Sequence, residues 1–246
     1  KAFDKFMEDK NIKSPFQVIK AFGLPVGQTI VEQAEKIQPD LIVMADHSHN
    51  LTQRFFLGST TNHVLHYAKF PLYIYKKPER EMNNIIIVPT DFPEMSKKAI
   101  LNANEIATKE NAILHLVHIN PKEWVYSAWG AEFYGVDYRN EQGLREENRK
   151  LLNKLEILAD DLHLTAKVER TVRAGTPHVE ILKIQEEQGA KMIVTAAHSY
   201  SWMDRFLLGS TTDYLLNHAE VPLVIHKEKV TENKGVQHEN EYGTVG

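Results

Sequence analysis

The sequence predicts an α/β protein made of two doubly wound, parallel-sheet domains, of which the first is incomplete. Residues 40–76 recur at 191–227 with a constant offset of 151, and 18 of the 37 positions are identical. A repeat of that length indicates a duplicated domain, because solenoid units usually repeat every 20–50 residues or so. Runs of β-branched residues also alternate with helical periodicity, an order typical of parallel sheets that helices cover on both faces.

The second domain is predicted over 84–228. Residues 84–90 are a continuous β-branched run, which predicts a buried strand, and 97–109 have helical spacing behind Ser96, a predicted N-cap. The remaining predicted elements are strand 112–119, helix 143–163, strand 165–173, helix 177–188 opening on Pro177, strand 191–197, helix 210–218 and strand 221–227. Right-handed crossovers would place these strands in one sheet, whose ligands bind beyond the carboxyl ends of its strands.

The connection 120–142 is rich in Trp, Tyr and Phe. Long connections often cover ligands or contact partners. Packing over the edge of the domain's own sheet is the alternative, and the residues do not decide between them.

The first domain is predicted over 1–76, and it lacks the opening strand, helix and strand of the second. Residues 15–22 match strand 165–173, and 25–38 match helix 177–188. Because the absent opening would supply the central strand, we expect a fragment of a longer tandem protein, with natural loss as the alternative. Residues 77–83 are predicted to be a polar linker, and 229–246 a polar, disordered tail.

Composition excludes several classes of protein. The 246 residues include no Cys, so disulfides, thiolate metal sites and Cys nucleophiles are excluded. A formal net charge of −4 gives no sign of a nucleic-acid or membrane surface, and no apolar run approaches the roughly 20 residues that span a bilayer. Phosphate-loop, nucleophile-elbow and zinc-protease signatures are absent. We therefore expect a cytoplasmic protein without nucleic-acid or membrane partners.

The strongest functional signal is the turn Gly-Ser-Thr-Thr, which occurs at 58–61 and again at 209–212. Each copy opens a predicted helix, where an anion would meet free amide groups and the positive end of the helix dipole. An ordinary helix cap is the alternative. Asp91 follows strand 84–90 at the same edge of the sheet, so it and the loop 196–212 can share one site. Capping of the next helix is the alternative role for Asp91.

Several of these residues together resemble the universal stress protein family in its tandem two-domain form. They are Val88-Pro89-Thr90-Asp91, Gly175-Thr176-Pro177, and the loop Ala-x2-Ser-x9-Gly-Ser that closes each repeat. The resemblance implies an adenine-nucleotide alpha-hydrolase-like fold. In nucleotide-binding members the loop reads Gly-x2-Gly-x9-Gly followed by Ser or Thr. Its glycines and hydroxyls hold the phosphates, and the Asp after the first strand meets the adenosine.

The resemblance implies site residues at matching positions of this chain. In the second domain they are Asp91, Ala196, Ser199, Gly209 and Ser210, and in the first they are Ala45, Ser48, Gly58 and Ser59, with no Asp equivalent. Three further candidates are Val117 for an adenine pocket, His198 beside a phosphate, and the hydroxyl of Thr211. For Val117 the alternative is a packing role. For His198, which recurs as His47 in the first repeat, a metal site is a weaker alternative to a place beside a phosphate. Ala and Ser replace the first two loop glycines, which disfavours close approach of the backbone to phosphate.

The residues and the resemblance together predict a stress-response binding protein without catalytic residues. Its second domain would bind ATP or another adenine nucleotide, with Mg²⁺ only as a companion of the nucleotide. An interaction scaffold that binds no nucleotide and a weak ATPase are the alternatives. Strands 71–76 and 222–227 are predicted to pair edge to edge, either within one chain or between two copies.

Overall fold

The computed structural model describes residues 18–21, 23–45, 58–92, 94–121, 141–197 and 208–227. Within them the chain forms six helices: α1 (Val26–Ile37), α2 (Ser59–Tyr67), α3 (Glu94–Lys109), α4 (Glu141–Asp161), α5 (Pro177–Gln188) and α6 (Ser210–His218). The strands are β1 (Ile42–Ala45), β2 (Leu72–Tyr75), β3 (Asn83–Pro89), β4 (Ile113–Asn120), β5 (Lys167–Ala174), β6 (Ala190–Ala196) and β7 (Leu223–His226).

These strands form one seven-stranded sheet in the order β1-β2-β7-β6-β3-β4-β5. Neighbours are parallel, except that β2 and β7 pair antiparallel. The predicted pairing of the two closing strands is therefore present within one chain. Tyr73 pairs with Val224, its equivalent in the repeat, so the register is symmetric about this pair. We call this antiparallel junction the seam.

Helices cover both faces of the sheet, and the sequence of β3 shows why. Ile85 and Ile87 point into one core with α1, α2, α5 and α6, whereas Ile86 and Val88 point into the other with α3 and α4. A strand buried on both faces needs a continuous apolar run rather than an alternating one. That requirement explains the β-branched run from which the strand was predicted.

Two lysines at equivalent positions cross the seam. Lys76 follows β2, and its Nζ donates to the carbonyl oxygens of Leu216 (2.5 Å) and Ala219 (2.9 Å) at the end of α6. Lys227 follows β7, and its Nζ donates to the carbonyls of Leu65 and Ala68 at the end of α2, the latter at 2.8 Å. The last carbonyls of a helix have no partner within it, and a cation there also interacts favourably with the helix dipole.

Two local predictions were wrong. Residues 15–22 were expected to form a strand, but 18–21 are not part of one. The equivalent strand β5 is held by β4, and no counterpart of β4 stands beside it among the described residues of the first repeat. Ser96 was expected to cap a helix, but α3 begins at Glu94, so Ser96 lies within it and its Oγ donates to Asp91 Oδ1 at 2.9 Å.

Other predictions fall outside the described residues. These are the aromatic residues 124–138 of the long connection, the middle of each Ala-x2-Ser-x9-Gly-Ser loop, and the tail 229–246.

Candidate functional site

A pocket of about 160 Å³ lies where β3, β4 and β6 end, beside the first turns of α5 and α6. Its lining brings together four of the predicted site residues, from four separate segments: Asp91, Val117, Ala196 and Thr211. The carboxyl ends of neighbouring parallel strands, close to a reversal of strand order, are where doubly wound sheets bind ligands. The location therefore agrees with the general rule for this architecture.

One side of the pocket is apolar. Val117 and Ile181 are almost fully buried, at 0% and 2% exposure, and Ile119 and Pro177 extend this side. Pro177 is there because it opens α5, where its fixed φ and missing amide hydrogen suit the first helical turn. This side can take the flat face of a heterocyclic ring.

The opposite side carries hydroxyl groups on β6 and α6. Thr195 and Thr212 are both buried, and their hydroxyl oxygens lie 3.4 Å apart. Thr212 Oγ1 donates to the carbonyl of Ala196 at 3.3 Å, which ties the first turn of α6 to the end of β6. The hydroxyl of Thr211 adds a third polar group to the lining.

Helix α6 begins at the repeated turn. Gly209 is its N-cap residue, with φ −56°, and its carbonyl accepts from the amide of Asp213 at 3.0 Å. The preceding amides of the first turn lack partners within the helix and can meet an anion. Among the described residues a Cβ at Gly209 would contact nothing within 4 Å, and its backbone conformation is one that any residue can adopt. Ser210 is exposed on this turn.

Asp91 is exposed at the end of β3, where the chain turns sharply. The next residue, Phe92, has φ 75°, and its amide donates to Thr90 Oγ1 at 3.0 Å. Left-handed backbone at a bulky residue is uncommon and costs energy, so the surrounding contacts must hold it in place. Lys154 Nζ lies 4.0 Å from the centre of the Phe92 ring. The turn directs Asp91 toward the pocket, with Ser96 bonded to its carboxylate.

His118 stands behind this turn rather than in the pocket lining. Its Nδ1 lies 2.8 Å from the carbonyl oxygen of Thr90, so Nδ1 carries the donated hydrogen. Burial lowers the pKa of His118, while the bond to Thr90 and the charge of Asp91 oppose that shift. His118 supports the turn, and its ring lies against that of Phe92 with centroids 4.7 Å apart.

The described site residues predicted for the first repeat line neither this pocket nor the apolar groove beside β1. Ala45 ends β1 exposed, and Gly58 and Ser59 open α2 exposed to solvent. No strand equivalent to β3 stands beside β1 in the described part of the chain, so these residues have no counterpart of Asp91 next to them. Ser48, His198 and Ser199 lie outside the described residues.

Sequence reasoning gave no site role to the other lining residues, namely Pro89, Thr90, Ser96, Ile119, Pro177, Ile181, Thr195 and Thr212. Pro89, Thr90 and Pro177 belong to the motifs quoted above, and two others also left a signal. Thr195 is a polar residue in an otherwise apolar strand, and Thr212 belongs to the repeated Gly-Ser-Thr-Thr turn.

The described residues contain no group of three His, Asp or Glu side chains that could hold a metal ion. None of the helices in the described ranges has the length and apolar character needed to cross a membrane.

The fold and the pocket define a class: an α/β protein of the adenine-nucleotide alpha-hydrolase-like fold, with a cleft at the carboxyl ends of its strands. The model of the universal stress protein family matches residues 6–76 and 82–227. The chain belongs to the universal stress protein family, in its tandem two-domain form.

Individual relatives agree with this assignment. Universal stress protein MJ0577 of Methanocaldococcus jannaschii is 28% identical over 155 residues, covering 58% of this chain and 94% of its own. Universal stress protein G of Shigella flexneri is 27% identical over 150 residues, covering 58% of this chain and 99% of its own. The crystal structure of a universal stress protein from Archaeoglobus fulgidus superposes with a TM-score of 0.61 at 24% identity, covering 92% of this chain and 74% of that one.

Proposed function

We propose that this chain is a regulatory binding protein whose second domain holds ATP or another adenine nucleotide in the pocket between β3, β4 and α6. The observation that carries the proposal is the pairing, in one pocket, of an apolar side at Val117 and Ile181 with hydroxyl groups at the start of a helix. Apolar walls with a few convergent polar groups are typical of small-molecule sites.

The two sides of the pocket suit different parts of a nucleotide. A carboxylate repels phosphate, so Asp91 suits the base and ribose, whose amino and hydroxyl groups donate hydrogen bonds. The amides and hydroxyls at the start of α6 suit the phosphates. A volume of about 160 Å³ is below the roughly 300–1,000 Å³ of pockets for whole drug-sized ligands. The described pocket therefore has room for part of the nucleotide, such as its base.

The described lining favours binding over chemistry. Asp91 is its ionisable group, and it already accepts a hydrogen bond from Ser96. The remaining lining residues offer hydroxyls, backbone groups and apolar surface, which hold a ligand without activating water. Occupancy of such a site acts by changing the relative stability of conformations or interfaces.

Titration calorimetry with ATP, ADP and AMP tests the proposal. We expect one nucleotide per chain, and about tenfold or greater loss of affinity in Asp91→Ala and Thr211→Val, because each removes a polar group of the pocket lining. Glu94→Ala is the matched control, since Glu94 is an exposed carboxylate nearby that does not line the pocket. Absence of binding heat at millimolar nucleotide would refute the proposal in favour of an interaction scaffold.

A further inference from the structure

Helix α6 reaches from the pocket of the second repeat to the seam. Its nine residues, Ser210–His218, span about 14 Å at 1.5 Å per residue. Its first turn lines the pocket through Thr211 and Thr212. Its last turn ends at the seam, where the carbonyls of Leu216 and Ala219 meet Lys76. One short rigid element therefore touches the ligand pocket at one end and the first repeat at the other.

Lys76 is buried in this contact and holds it through hydrogen bonds. It is 7% exposed, which is rare for lysine, and its Nζ donates to two carbonyls of a helix in the other repeat. Burying an ammonium group is costly unless its hydrogen bonds are satisfied. The same arrangement occurs on the other side of the seam, where Lys227 donates to Leu65 and Ala68.

We infer that Lys76, a residue of the first repeat, is a positioning residue for the pocket of the second repeat. By holding the carboxyl end of α6 against β2, it sets the place of Thr211 and Thr212 at the amino end. A nine-residue helix has little stability of its own, so its position depends on its tertiary contacts, which are the packing of Leu215 and Leu216 in the core and the bonds of Lys76 at its carboxyl end. This inference rests on the proposed function, because it makes the affinity of the nucleotide site depend on the seam.

The molecule supplies a matched control. Lys227 makes the equivalent bonds to α2, whose first turn lines neither the pocket of the second repeat nor the apolar groove beside β1. Lys76→Met and Lys227→Met therefore each remove an equivalent pair of hydrogen bonds from the seam, but only the first touches the helix that lines the pocket. Lys76→Arg keeps a cation that can donate to both carbonyls.

Two measurements on the full chain test the inference. In calorimetry with ATP, Lys76→Met should weaken binding about tenfold, within the usual range of coupling between sites, while Lys227→Met changes it less than twofold. Lys76→Arg should recover most of the loss. In the absence of ligand, hydrogen exchange within residues 210–213 should be faster in Lys76→Met than in Lys227→Met at the amide of Asp213, which is protected by its hydrogen bond to the carbonyl of Gly209.

The outcomes separate this inference from the proposed function. Equal affinities and equal exchange in the two methionine variants would overturn the role of Lys76 while leaving nucleotide binding intact. If the unaltered chain binds no nucleotide, the proposed function fails, and exchange at residues 210–213 still decides whether Lys76 positions that turn.

Discussion

Strands β1 and β6 are copies of one sequence segment, yet they lie in different surroundings. Val194 of β6 is fully buried, whereas its equivalent Val43 in β1 is 65% exposed. Met192 is 8% exposed and its equivalent Leu41 is 44% exposed. The apolar pattern of a strand thus indicates which of its side chains can be buried. The neighbouring helices and strands decide whether those side chains are buried.

The neighbours account for the difference. Strand β6 lies between β7 and β3, and α3 packs on the face that carries Val194. In the described residues β1 has β2 as its neighbour, and no helix covers the face of Val43. An apolar groove of about 300 Å³ lies beside β1, lined by residues such as Ile30, Ala34 and Ile42. The pocket of the second repeat is lined in part by residues at the end of β3, and no counterpart of β3 stands beside β1 among the described residues.

The largest expected effect comes from placing a charge at the two equivalent valines. Val194→Asp buries a carboxylate without a partner and should lower the free energy of unfolding by about 4 kcal/mol or more. Val43→Asp should change it by less than about 0.5 kcal/mol, because the side chain already faces solvent on an edge strand. Urea denaturation measures both. A large loss of unfolding free energy in Val43→Asp would show that β1 is covered in solution. The two strands would then not differ in burial as described.

A second pair of variants tests whether the two repeats are alike at the seam. Leu65 and Leu216 are equivalent residues of α2 and α6, with 1% and 0% exposure. Each should lose about 2–5 kcal/mol of unfolding free energy on substitution by Ala, the usual cost for a buried Leu. Similar values in thermal or urea denaturation would show that the repeats are alike at the seam and differ only away from it. Values that differ by more than about 2 kcal/mol would contradict this.

The smallest effect concerns pH. Burial lowers the pKa of Lys227 from 10.5 to about 8 in the folded protein. Between those two pKa values the unfolded chain binds more protons than the folded protein does. The free energy of unfolding should therefore rise as the pH is raised from about 8 to 10.5, and fall as the pH is lowered over the same range. A shift of about 2.5 in pKa corresponds to about 3 kcal/mol, and solvent screening at this partly exposed side chain reduces the contribution to on the order of 2 kcal/mol. A neutral amine can still donate to Leu65 and Ala68, so the contact survives.

Lys227→Met isolates this contribution from the other groups that titrate at high pH. The difference in unfolding free energy between the two proteins should change across pH 8–10.5 and stay constant between pH 6 and 7.5. A difference that is constant throughout would mean that Lys227 keeps an ordinary pKa.

Much of the fold follows from local pattern. The β-branched run at 84–90, Pro177 and the Gly-Ser-Thr-Thr turns placed β3, α5, α2 and α6 within a residue or two. The strand predicted at 15–22 is not present at residues 18–21. A strand is held by the strand beside it, and no counterpart of β4 lies there among the described residues. Ser96 failed because its hydroxyl bonds to Asp91 from inside α3 rather than capping the helix.

The candidate site was predictable only in part, for related reasons. Residues at strand ends, such as Asp91 and Val117, could be assigned to one edge of the sheet from the order of elements alone. The depth of the pocket depends on how α5 and α6 pack, so Ile181 and Thr212 were missed. Lys76 was missed as well, since a lysine after a strand looks solvated until the seam buries it.

The segment that connects β2 to β3 affects how the pairing of the two repeats depends on protein concentration. Residues 76–82 carry the chain past β7 and β6, about 14 Å at 4.8 Å per strand, and Glu79, Arg80 and Glu81 lie exposed on the way. A short tether of this kind keeps its two halves at an effective concentration in the millimolar range. The halves therefore stay paired however dilute the protein becomes. A single proteolytic cut at Arg80 would turn that permanent pairing into an equilibrium that depends on concentration.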